Sequence, residues 1–401
     1  MKILTITSAY SGFFPRFYEL LRKAIEEENI ESFVLLPQNS NNRKAIVHNK
    51  VLWGTRFNWF IHYNLYRLTG LQDVFSFLET VLLLVKIKII KPSVVHLHMV
   101  NVWCINFPLF IWYINKCKIP VVWTMHDCRA FTGRCAYFDE IDCNKWLTGC
   151  KECKQNILYN PTVFHNEHLQ WVLRKRMFNS FRNLTIVTPS KWLANLLEKS
   201  FIKNATIKVI NNGIDIMSFS KDIHCELKKK MGISGKKMVL GIAANWEFRK
   251  GLDYFVFLSN RLPNDKYQVV LVGNIPDESD KKYEKIIQIP QTSSLSNIVE
   301  IYQSADVFVN PTLADNFPTT NIEALASGTP VVTFKTGGSA EAIDNTCGCA
   351  VEKGDKEALL NAVITVLNDE NINKDTCRKR AAMFSQNRYK EYVALYKDVV
   401  G

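Results

Sequence analysis

Short runs of β-branched residues alternate with helical patterns along the chain, and this alternation occurs twice. The strand-like runs cover 3–7, 32–36, 94–98, 121–124 and 185–188 in the first half, and 238–243, 269–273, 307–310 and 330–334 in the second. Helical patterns such as 17–28, 75–90, 252–262 and 320–327 separate them. Strands that alternate with helices form parallel βαβ units with right-handed crossovers. The sequence therefore predicts two doubly wound α/β lobes.

The length of the chain agrees with two lobes. A chain of 401 residues exceeds the usual size of one hydrophobic core, and two domains of roughly 180–200 residues are then expected. A strand that ends at Asn212-Gly213 is followed by a lysine-rich stretch through Lys237, which predicts the linker. The last segment, 381–400, has the pattern of one amphipathic helix. Ligands of doubly wound folds bind outside the carboxyl ends of the strands, so functional residues are expected in the loops there.

The segment after the predicted strand 307–310 holds two acids around a helix start. Asp315 lies in the loop, a helix begins near Thr319, Glu323 follows one turn inside it, and Gly328 ends it. Free backbone amides and the helix dipole at such a start attract a phosphate. The layout suits a sugar nucleotide, with Asp315 on sugar hydroxyls, amides on the diphosphate and Glu323 on the ribose diol. The alternative is a turn, a helix cap and a solvated helix residue.

A pair of cations precedes the predicted helix 252–262. Arg249 and Lys250 follow a strand directly, and a nucleoside diphosphate that leaves during sugar transfer gains negative charge that such cations stabilise. A solvated surface pair is the alternative.

Two features of the first half follow strand ends in the same way. Gly12 lies in the turn after the first strand and allows a phosphate or acceptor to approach the backbone. His126-Asp127 follows the strand 121–124, where a histidine can hydrogen-bond sugar hydroxyls or orient the reacting groups. A structural histidine is the alternative.

Five cysteines crowd between Cys128 and Cys153. Four of them have the spacing C-x7-C-x6-C-x2-C, whose closing pair is typical of tetrahedral thiolate sites that hold zinc. These four are Cys135, Cys143, Cys150 and Cys153. Two interpretations are open, a structural zinc site without an open catalytic position and a set of buried thiols.

The ordered set of motifs resembles the retaining glycosyltransferases of family 4, which have the GT-B fold. The second-half signature carries Glu323-Ala324-Leu325-Ala326 followed by Gly328-x-Pro330-Val331-Val332, and the first half carries His126-Asp127. The resemblance extends to Asn212-Gly213-Ile214-Asp215, Lys250-Gly251 and Gly337-Gly338, and a subset of the family has a similar Cys-rich loop after His-Asp. Two positions depart from the family pattern, because the first acid is Asp315 rather than Glu and Asn245 stands where the family has an arginine.

This resemblance implies two Rossmann-like domains, each a doubly wound parallel sheet, that face each other across a cleft. Residues 1–210 would form the acceptor domain, with the C-terminal helix of about 383–401 packing back on it, and 211–382 the nucleotide-sugar donor domain. The expected catalytic residues are His126, Asp315 and Glu323. The expected donor-binding residues are Gly12, Arg249, Lys250, Asn316, Phe317, Pro318, Thr319 and Thr320.

The same resemblance implies transfer from a UDP- or GDP-sugar to a glycan or lipid-linked acceptor, with no catalytic metal, in bacterial capsule, O-antigen or exopolysaccharide assembly. Two other functions stay open, a sugar-nucleotide epimerase of similar fold and a non-catalytic sugar-nucleotide-binding protein. Turnover of the donor without acceptor would favour the first, and binding without turnover the second.

The charge of +12 and the pI near 9.1 favour anionic partners. Nucleic acid is not expected, because no zinc-finger, recognition-helix or RNA-binding aromatic motif is present. The start of the chain lacks the pattern of a secretory signal, and no apolar run reaches spanning length, so a cytoplasmic location is expected. Aromatic and basic residues mix in 53–91, which fits either a peripheral anionic membrane surface or core-facing helices with solvated cations. They are Trp53, Arg56, Trp59, Phe60, Tyr63, Tyr66, Arg67, Lys86, Lys88 and Lys91.

Overall fold

The chain folds into two compact units, which a computed structural model describes over residues 1–100, 103–155, 159, 161–276, 280–292 and 294–401, apart from the side chain of Arg56. Unit 1 comprises Met1–Asn211 and Asn387–Gly401, and unit 2 comprises Asn212–Gln386. The sequence placed the division between residues 210 and 211.

Unit 1 is built on a parallel sheet of seven strands in the order β3-β2-β1-β4-β5-β6-β7. The strands are β1 Lys2–Thr7, β2 Glu31–Pro37, β3 Lys50–Trp53, β4 Val94–His98, β5 Val121–Thr124, β6 Leu184–Thr188 and β7 Thr206–Val209. The helices are α1 Phe14–Glu27, α2 Ser40–Lys44, α3 Arg56–Thr69, α4 Phe77–Ile90, α5 Phe107–Cys117, α6 Glu167–Phe178 and α7 Lys191–Lys199. The Cys-rich segment between β5 and α6 contains three single-turn 3₁₀ helices.

Unit 2 repeats this architecture with six parallel strands in the order β10-β9-β8-β11-β12-β13. The strands are β8 Lys237–Asn245, β9 Tyr267–Asn274, β10 Ile286–Ile289, β11 Val307–Asn310, β12 Val331–Phe334 and β13 Gly348–Val351. The helices are α8 Ile216–Ser220, α9 Leu227–Lys230, α10 Leu252–Arg261, α11 Leu295–Ser304, α12 Thr319–Ala326, α13 Lys356–Asn368 and α14 Lys374–Ala381. The prediction of two doubly wound parallel-sheet domains is confirmed.

The strands are apolar because helices cover both faces of each sheet. In β1, Leu4 and Ile6 belong to one core cluster and Ile3 to another on the opposite face. All three side chains are fully buried. Parallel strands covered on both faces therefore show continuous hydrophobic runs rather than strict alternation.

The prediction of a single helix over 381–400 is wrong for the part before Arg388. Helix α14 ends at Ala381, Ser385 is extended and forms a bridge with Ile214 within unit 2, and helix α15 (Arg388–Val400) belongs to unit 1. The chain crosses from one unit to the other between Gln386 and Asn387, so the amphipathic pattern spans two helices with different surroundings. Helix α15 buries Tyr389, Tyr392 and Tyr396 in the core of unit 1.

The turns that hold predicted functional residues follow strands that lie at, or next to, the position where each sheet reverses its strand order. In unit 1, β1 and β4 are neighbours, and in unit 2, β8 lies between β9 and β11. Sequential order reverses at these positions, where doubly wound folds bind ligands. The turns after β1, β5, β8 and β11 contain Gly12, His126, Lys250 and Asp315. Within the described residues, no helix is both long and apolar enough to cross a membrane.

Candidate functional site

The turn after β8 in unit 2 is held against the strand end of β11. Gly251 has φ +79°, and a Cβ atom there would lie 2.2 Å from the carbonyl oxygen of Pro311. Only glycine accepts both this conformation and this close approach. The short turn therefore places Arg249 and Lys250 beside the loop that follows β11.

Lys250 forms an ion pair with Asp315. Its Nζ donates to Oδ2 of Asp315 at 2.8 Å, and the two side chains are 28% and 17% exposed. Gly337, with φ +55°, allows the chain after β12 to approach the same loop, since an added Cβ would lie 1.8 Å from the Asp315 carbonyl oxygen. Lys250 and Asp315, which are 65 positions apart in sequence, thus lie in contact at one half-buried position that solvent can reach.

Arg249 adds a second cation to this place. One of its guanidinium nitrogens donates to the Ala314 carbonyl at 2.8 Å, and the other contacts Glu247 at 3.1 Å. Its own carbonyl accepts from the amide of Leu313 at 2.8 Å. Because backbone and side chain both bind the loop 313–315, that loop and the turn 248–250 form one rigid assembly.

The loop leads into the start of helix α12. Asn316 and Phe317 are buried, Pro318 occupies the cap position, and Thr319 and Thr320 are half-buried in the first turn. No side chain of the described residues caps this helix start. The amide donors and the positive end of the helix dipole are consequently directed toward an approaching anion.

Glu323 lies one turn inside α12 and is only 8% exposed. The hydroxyl of Tyr302 donates to its Oε2 at 3.1 Å. A buried carboxylate that is oriented by a tyrosine can accept hydrogen bonds from a diol. The two acids thus have different partners, Tyr302 for Glu323 and Lys250 for Asp315.

Asn245, which stands where the resembled family has an arginine, ends strand β8. Its Oδ1 accepts from Nδ2 of Asn274 at 3.1 Å, and the residue is exposed. The local cation is therefore supplied by the turn that holds Arg249 and Lys250, and not by this strand end.

His126 follows β5 in unit 1 and belongs to a chain of histidines. Its Nε2 lies 3.1 Å from Nδ1 of His98, whose Nε2 lies 3.3 Å from Nδ1 of His96. The Tyr396 hydroxyl contacts the same His96 nitrogen at 2.6 Å, and His96 Nε2 contacts the Thr124 hydroxyl at 2.8 Å. His96 and His98 are not among the residues predicted from the sequence, although their i, i+2 spacing on a buried strand places them on one face of the sheet.

Burial sets the charge of these histidines. Desolvation lowers the pKa of His126 to about 4, and the nearby Asp127 opposes that shift. The pKa values of His96 and His98 are also lowered by desolvation. The three rings are thus neutral near pH 7, and a neutral imidazole has one donor and one acceptor nitrogen for hydroxyl groups.

Gly12 lies in the exposed turn after β1 with φ +63°. No atom lies within 4 Å of an added Cβ. The positive φ favours glycine at this position, and the space around it leaves the backbone open to a ligand.

Two of the four predicted zinc ligands approach each other in the Cys-rich segment. The sulfur atoms of Cys135 and Cys153 are 4.0 Å apart, and Cys150 Sγ accepts from the Gly133 amide at 3.1 Å. Cys143 and Cys150 pack partly buried against the same core. Within the described residues, no group of three or more His, Cys, Asp or Glu side chains is arranged to hold a metal ion.

Two family profiles match the chain, one in each half. The profile described as Glycosyltransferase Family 4 matches residues 15–217, just over half of the chain, and the profile described as Glycosyl transferases group 1 matches residues 225–391.

Curated proteins that are similar to the chain are also named as glycosyltransferases. The chain is 23% identical over 319 residues to a putative colanic acid biosynthesis glycosyl transferase, WcaC, of Escherichia coli K12, and the match covers 77% of each chain. It is 28% identical over 223 residues to an N,N'-diacetylbacillosaminyl-diphospho-undecaprenol alpha-1,3-N-acetylgalactosaminyltransferase of Campylobacter jejuni, covering 52% of this chain and 58% of that one.

Solved structures share the fold. A sucrose-phosphate synthase of Thermosynechococcus elongatus superposes with a TM-score of 0.70 at 15% identity, covering 99% of this chain and 98% of that one. HepE of Anabaena, solved in complex with UDP, superposes with a TM-score of 0.69 at 14% identity, covering 99% and 100%.

Proposed function

The chain belongs to glycosyltransferase family 4, and we propose that it is a retaining enzyme whose unit 2 binds a UDP- or GDP-sugar between the β8–α10 turn and the start of α12. The observation that carries this proposal is the 2.8 Å contact between Lys250 and Asp315, four residues before an uncapped helix start. Cation, acid and amide donors are the groups that a sugar diphosphate needs in one place.

The diphosphate is assigned to the cations and the helix amides. Lys250 and Arg249 would contact its oxygens together with the backbone at Thr319 and Thr320, and the buried Asn316, Phe317 and Pro318 would hold the loop in shape. When the glycosidic bond breaks, negative charge grows on the leaving diphosphate, and fixed cations and amides stabilise it most at that point.

The two acids are assigned to the two sugars of the donor. Asp315 would accept from hydroxyls of the transferred sugar, and Glu323, oriented by Tyr302, would accept from the ribose diol. In unit 1, His126, which is neutral because of burial, would hydrogen-bond sugar hydroxyls, and the open backbone at Gly12 would admit a substrate.

The names of three relatives concern colanic acid biosynthesis and sugars linked to diphospho-undecaprenol. For this chain we infer a glycan or lipid-linked oligosaccharide as the acceptor, in capsule, O-antigen or related polysaccharide assembly. We infer a cytoplasmic place of action, peripheral on the inner face of the membrane, because the acceptor class and an exposed apolar surface agree on it.

That surface, the α3–α4 surface, consists of exposed apolar residues on two neighbouring helices. Of the predicted aromatic residues, Trp53 and Tyr66 are buried, whereas Trp59 and Phe60 are exposed. Exposed lysines, among them Lys88 and Lys91, and Arg67 accompany them, and this combination suits an anionic lipid surface. Its apolar members are Phe57, Trp59, Phe60, Ile61, Phe77, Leu78, Val81, Leu82, Val85 and Ile89.

A structural zinc ion in the Cys-rich segment is a further part of the proposal. Sulfur atoms in a tetrahedral zinc site lie about 3.8 Å apart, given Zn–S bonds of about 2.3 Å, and the Cys135–Cys153 separation of 4.0 Å is close to that value. Cys143 and Cys150 would complete the set. Metal analysis of protein purified without chelator is expected to give about one equivalent of zinc and to lose it in the Cys153→Ser variant, whereas less than about half an equivalent in the wild type would refute this part.

A thermal-shift series with UDP, GDP and ADP tests the donor assignment. One diphosphate should raise the Tm with increasing concentration, because a ligand that binds only the folded state stabilises it by mass action. Glu323→Gln should reduce the shift for that nucleotide but not for its 2′,3′-dideoxy analogue, and Glu352→Gln, a surface acid of the same unit, should change neither. The absence of a shift with all three nucleotides would refute the proposal.

A further inference from the structure

A cavity of about 240 Å³ lies in unit 1 at the carboxyl ends of β1, β2 and β3, beside α3 and α4. We propose that it binds one sugar ring of the acceptor, an inference that rests on the proposed transferase function. The side chains that carry the argument are Trp53, Asn58, Trp59, Glu79 and Trp103, all of which line the cavity.

Aromatic rings provide flat apolar walls. Trp59 is 46% exposed, and its ring stacks parallel to Tyr63 with centroids 5.3 Å apart and lies edge-on to Trp103 at 6.1 Å. These contacts fix the ring orientations before a ligand arrives. The C–H face of a pyranose buries its apolar surface against such rings, while its hydroxyls stay at the rim for hydrogen bonds.

Two buried donors at the cavity lack partners. The indole Nε1 atoms of Trp53 and Trp103 have no hydrogen-bond partner within the described residues, and Trp53 is only 3% exposed. A buried donor without a partner costs about 1–3 kcal/mol, and most buried polar groups are therefore paired.

A fixed carboxylate provides the acceptor side. Glu79 is 5% exposed, and its two oxygens accept from the amide and the hydroxyl of Thr55 at 2.9 and 2.8 Å. Gly54, with φ +72°, makes this fit possible, because a Cβ there would lie 2.3 Å from Glu79 Oε2. The remaining lone pairs of an oriented carboxylate accept hydroxyl donors strongly.

Charge and size restrict the ligand class. Among the described side chains, the lining contains one carboxylate and no lysine, arginine or histidine, so a phosphate or nucleotide would meet repulsion from Glu79 without a counter-charge from them. The volume lies just below the 300–1,000 Å³ typical of pockets for drug-sized ligands. A single neutral, hydroxyl-rich ring fits both limits.

Saturation-transfer NMR on the full chain tests this assignment with a panel of methyl glycosides, namely glucoside, galactoside, rhamnoside, fucoside and the N-acetylated gluco- and galactosaminides. At least one glycoside should give a signal that is reduced roughly 10-fold or more in both Trp59→Ala and Glu79→Gln, since a hydrogen bond to a charged group contributes about 1.5–3 kcal/mol. Trp112→Ala, which removes an equally large exposed ring elsewhere in unit 1 (57% exposed), should leave the signal unchanged.

The thermal shift by the nucleoside diphosphate is recorded on the same samples. It should stay within error in all three variants, because the cavity residues lie outside unit 2. No signal from any glycoside, or a signal that persists in both cavity variants, overturns this inference while the nucleotide shift stands. Loss of the nucleotide shift in the wild type would instead refute the proposed function.

Discussion

The ion pair between Lys250 and Asp315 links the residue that is assigned to the diphosphate with the residue that is assigned to the transferred sugar. In the unliganded chain each neutralises the other at 2.8 Å, which keeps a half-buried cation compensated. A diphosphate would offer Lys250 a second anion, and Asp315 could then turn to sugar hydroxyls. The pair thus holds the Lys250 ammonium and the Asp315 carboxylate beside each other in the loop before α12.

Lys250→Ala should weaken the binding of the stabilising nucleoside diphosphate 10- to 100-fold, because one charge-assisted hydrogen bond contributes about 1.5–3 kcal/mol. Isothermal calorimetry measures the change in Kd. The matched control is Lys335→Ala, which removes a lysine of the same unit that is paired with Glu352 at the surface. Equal affinity of the two variants would remove Lys250 from the site.

At this scale the sequence proposes candidate site residues but does not indicate their partners. Lys250, Asp315 and Glu323 follow strands or open helices, which the local pattern reveals. Tyr302 comes from α11 and contacts Glu323 across 21 positions, and His98 reaches His126 across 28. Such contacts depend on which strands and helices become neighbours, and no local pattern encodes that.

At the scale of elements, the buried Arg174 ties helix α6 to two segments, the α3–α4 loop through an ion pair with Asp73 and the Cys-rich segment through backbone carbonyls. Arg174 and Asp73 are 0% and 1% exposed and 2.6 Å apart. Arg174 also donates to the carbonyls of Arg129 and Thr132 and to the side chain of Gln72. The bonds from Arg174 to the carbonyls of Arg129 and Thr132 help to fix the segment after His126, and Asp73 compensates the buried charge of that arginine.

Arg174→Met should lower the free energy of unfolding by about 3–5 kcal/mol, because it leaves Asp73 buried without its counter-charge. Urea titration followed by circular dichroism measures the change. The double variant with Asp73→Asn should recover part of the loss, and Arg182→Met, an exposed arginine of the same unit, should change stability by less than about 0.5 kcal/mol. A single-variant loss as small as that of Arg182→Met would show that the pair is not stabilising.

The elements themselves were largely predictable, and their ends less so. The strand 307–310 has the predicted bounds, whereas α1 begins at Phe14 rather than residue 17, because Pro15 is favourable in the first turn of a helix. Of the helix predicted over 381–400, only α15 (Arg388–Val400) forms as a continuous helix, because α14 ends at Ala381 and a 3₁₀ turn follows. An amphipathic pattern indicates that one face of a helix is buried, but it does not indicate which unit buries that face.

At the scale of the whole molecule, the net positive charge and the α3–α4 surface both suit the proposed binding to an anionic lipid surface. The chain carries 50 basic and 38 acidic residues, and helices α3 and α4 carry the ten exposed apolar side chains of this surface together with the exposed Arg67 and Lys88. Large exposed apolar surfaces are uncommon on proteins that bind no partner.

Phe57→Ser with Leu78→Ser should reduce partitioning onto anionic vesicles at least 10-fold, because each side chain would bury apolar area worth about 1.5–3 kcal/mol. These residues are 70% and 75% exposed, so their replacement should not affect folding. Sedimentation with vesicles of phosphatidylglycerol and phosphatidylcholine measures it. Met217→Ser with Leu295→Ser, exposed apolar residues of unit 2, is the control. Equal sedimentation of the wild type with neutral and anionic vesicles would contradict recognition of an anionic surface, and no sedimentation with either would contradict membrane binding.

Hydrogen–deuterium exchange of the full chain with and without the stabilising nucleoside diphosphate tests the donor site most directly. The account predicts that bound nucleotide slows exchange in peptides covering 247–253 and 311–323 of unit 2, and that the same peptides lose this protection in Lys250→Ala. Protection confined to other peptides, or unchanged exchange in these two segments at saturating nucleotide, would contradict it.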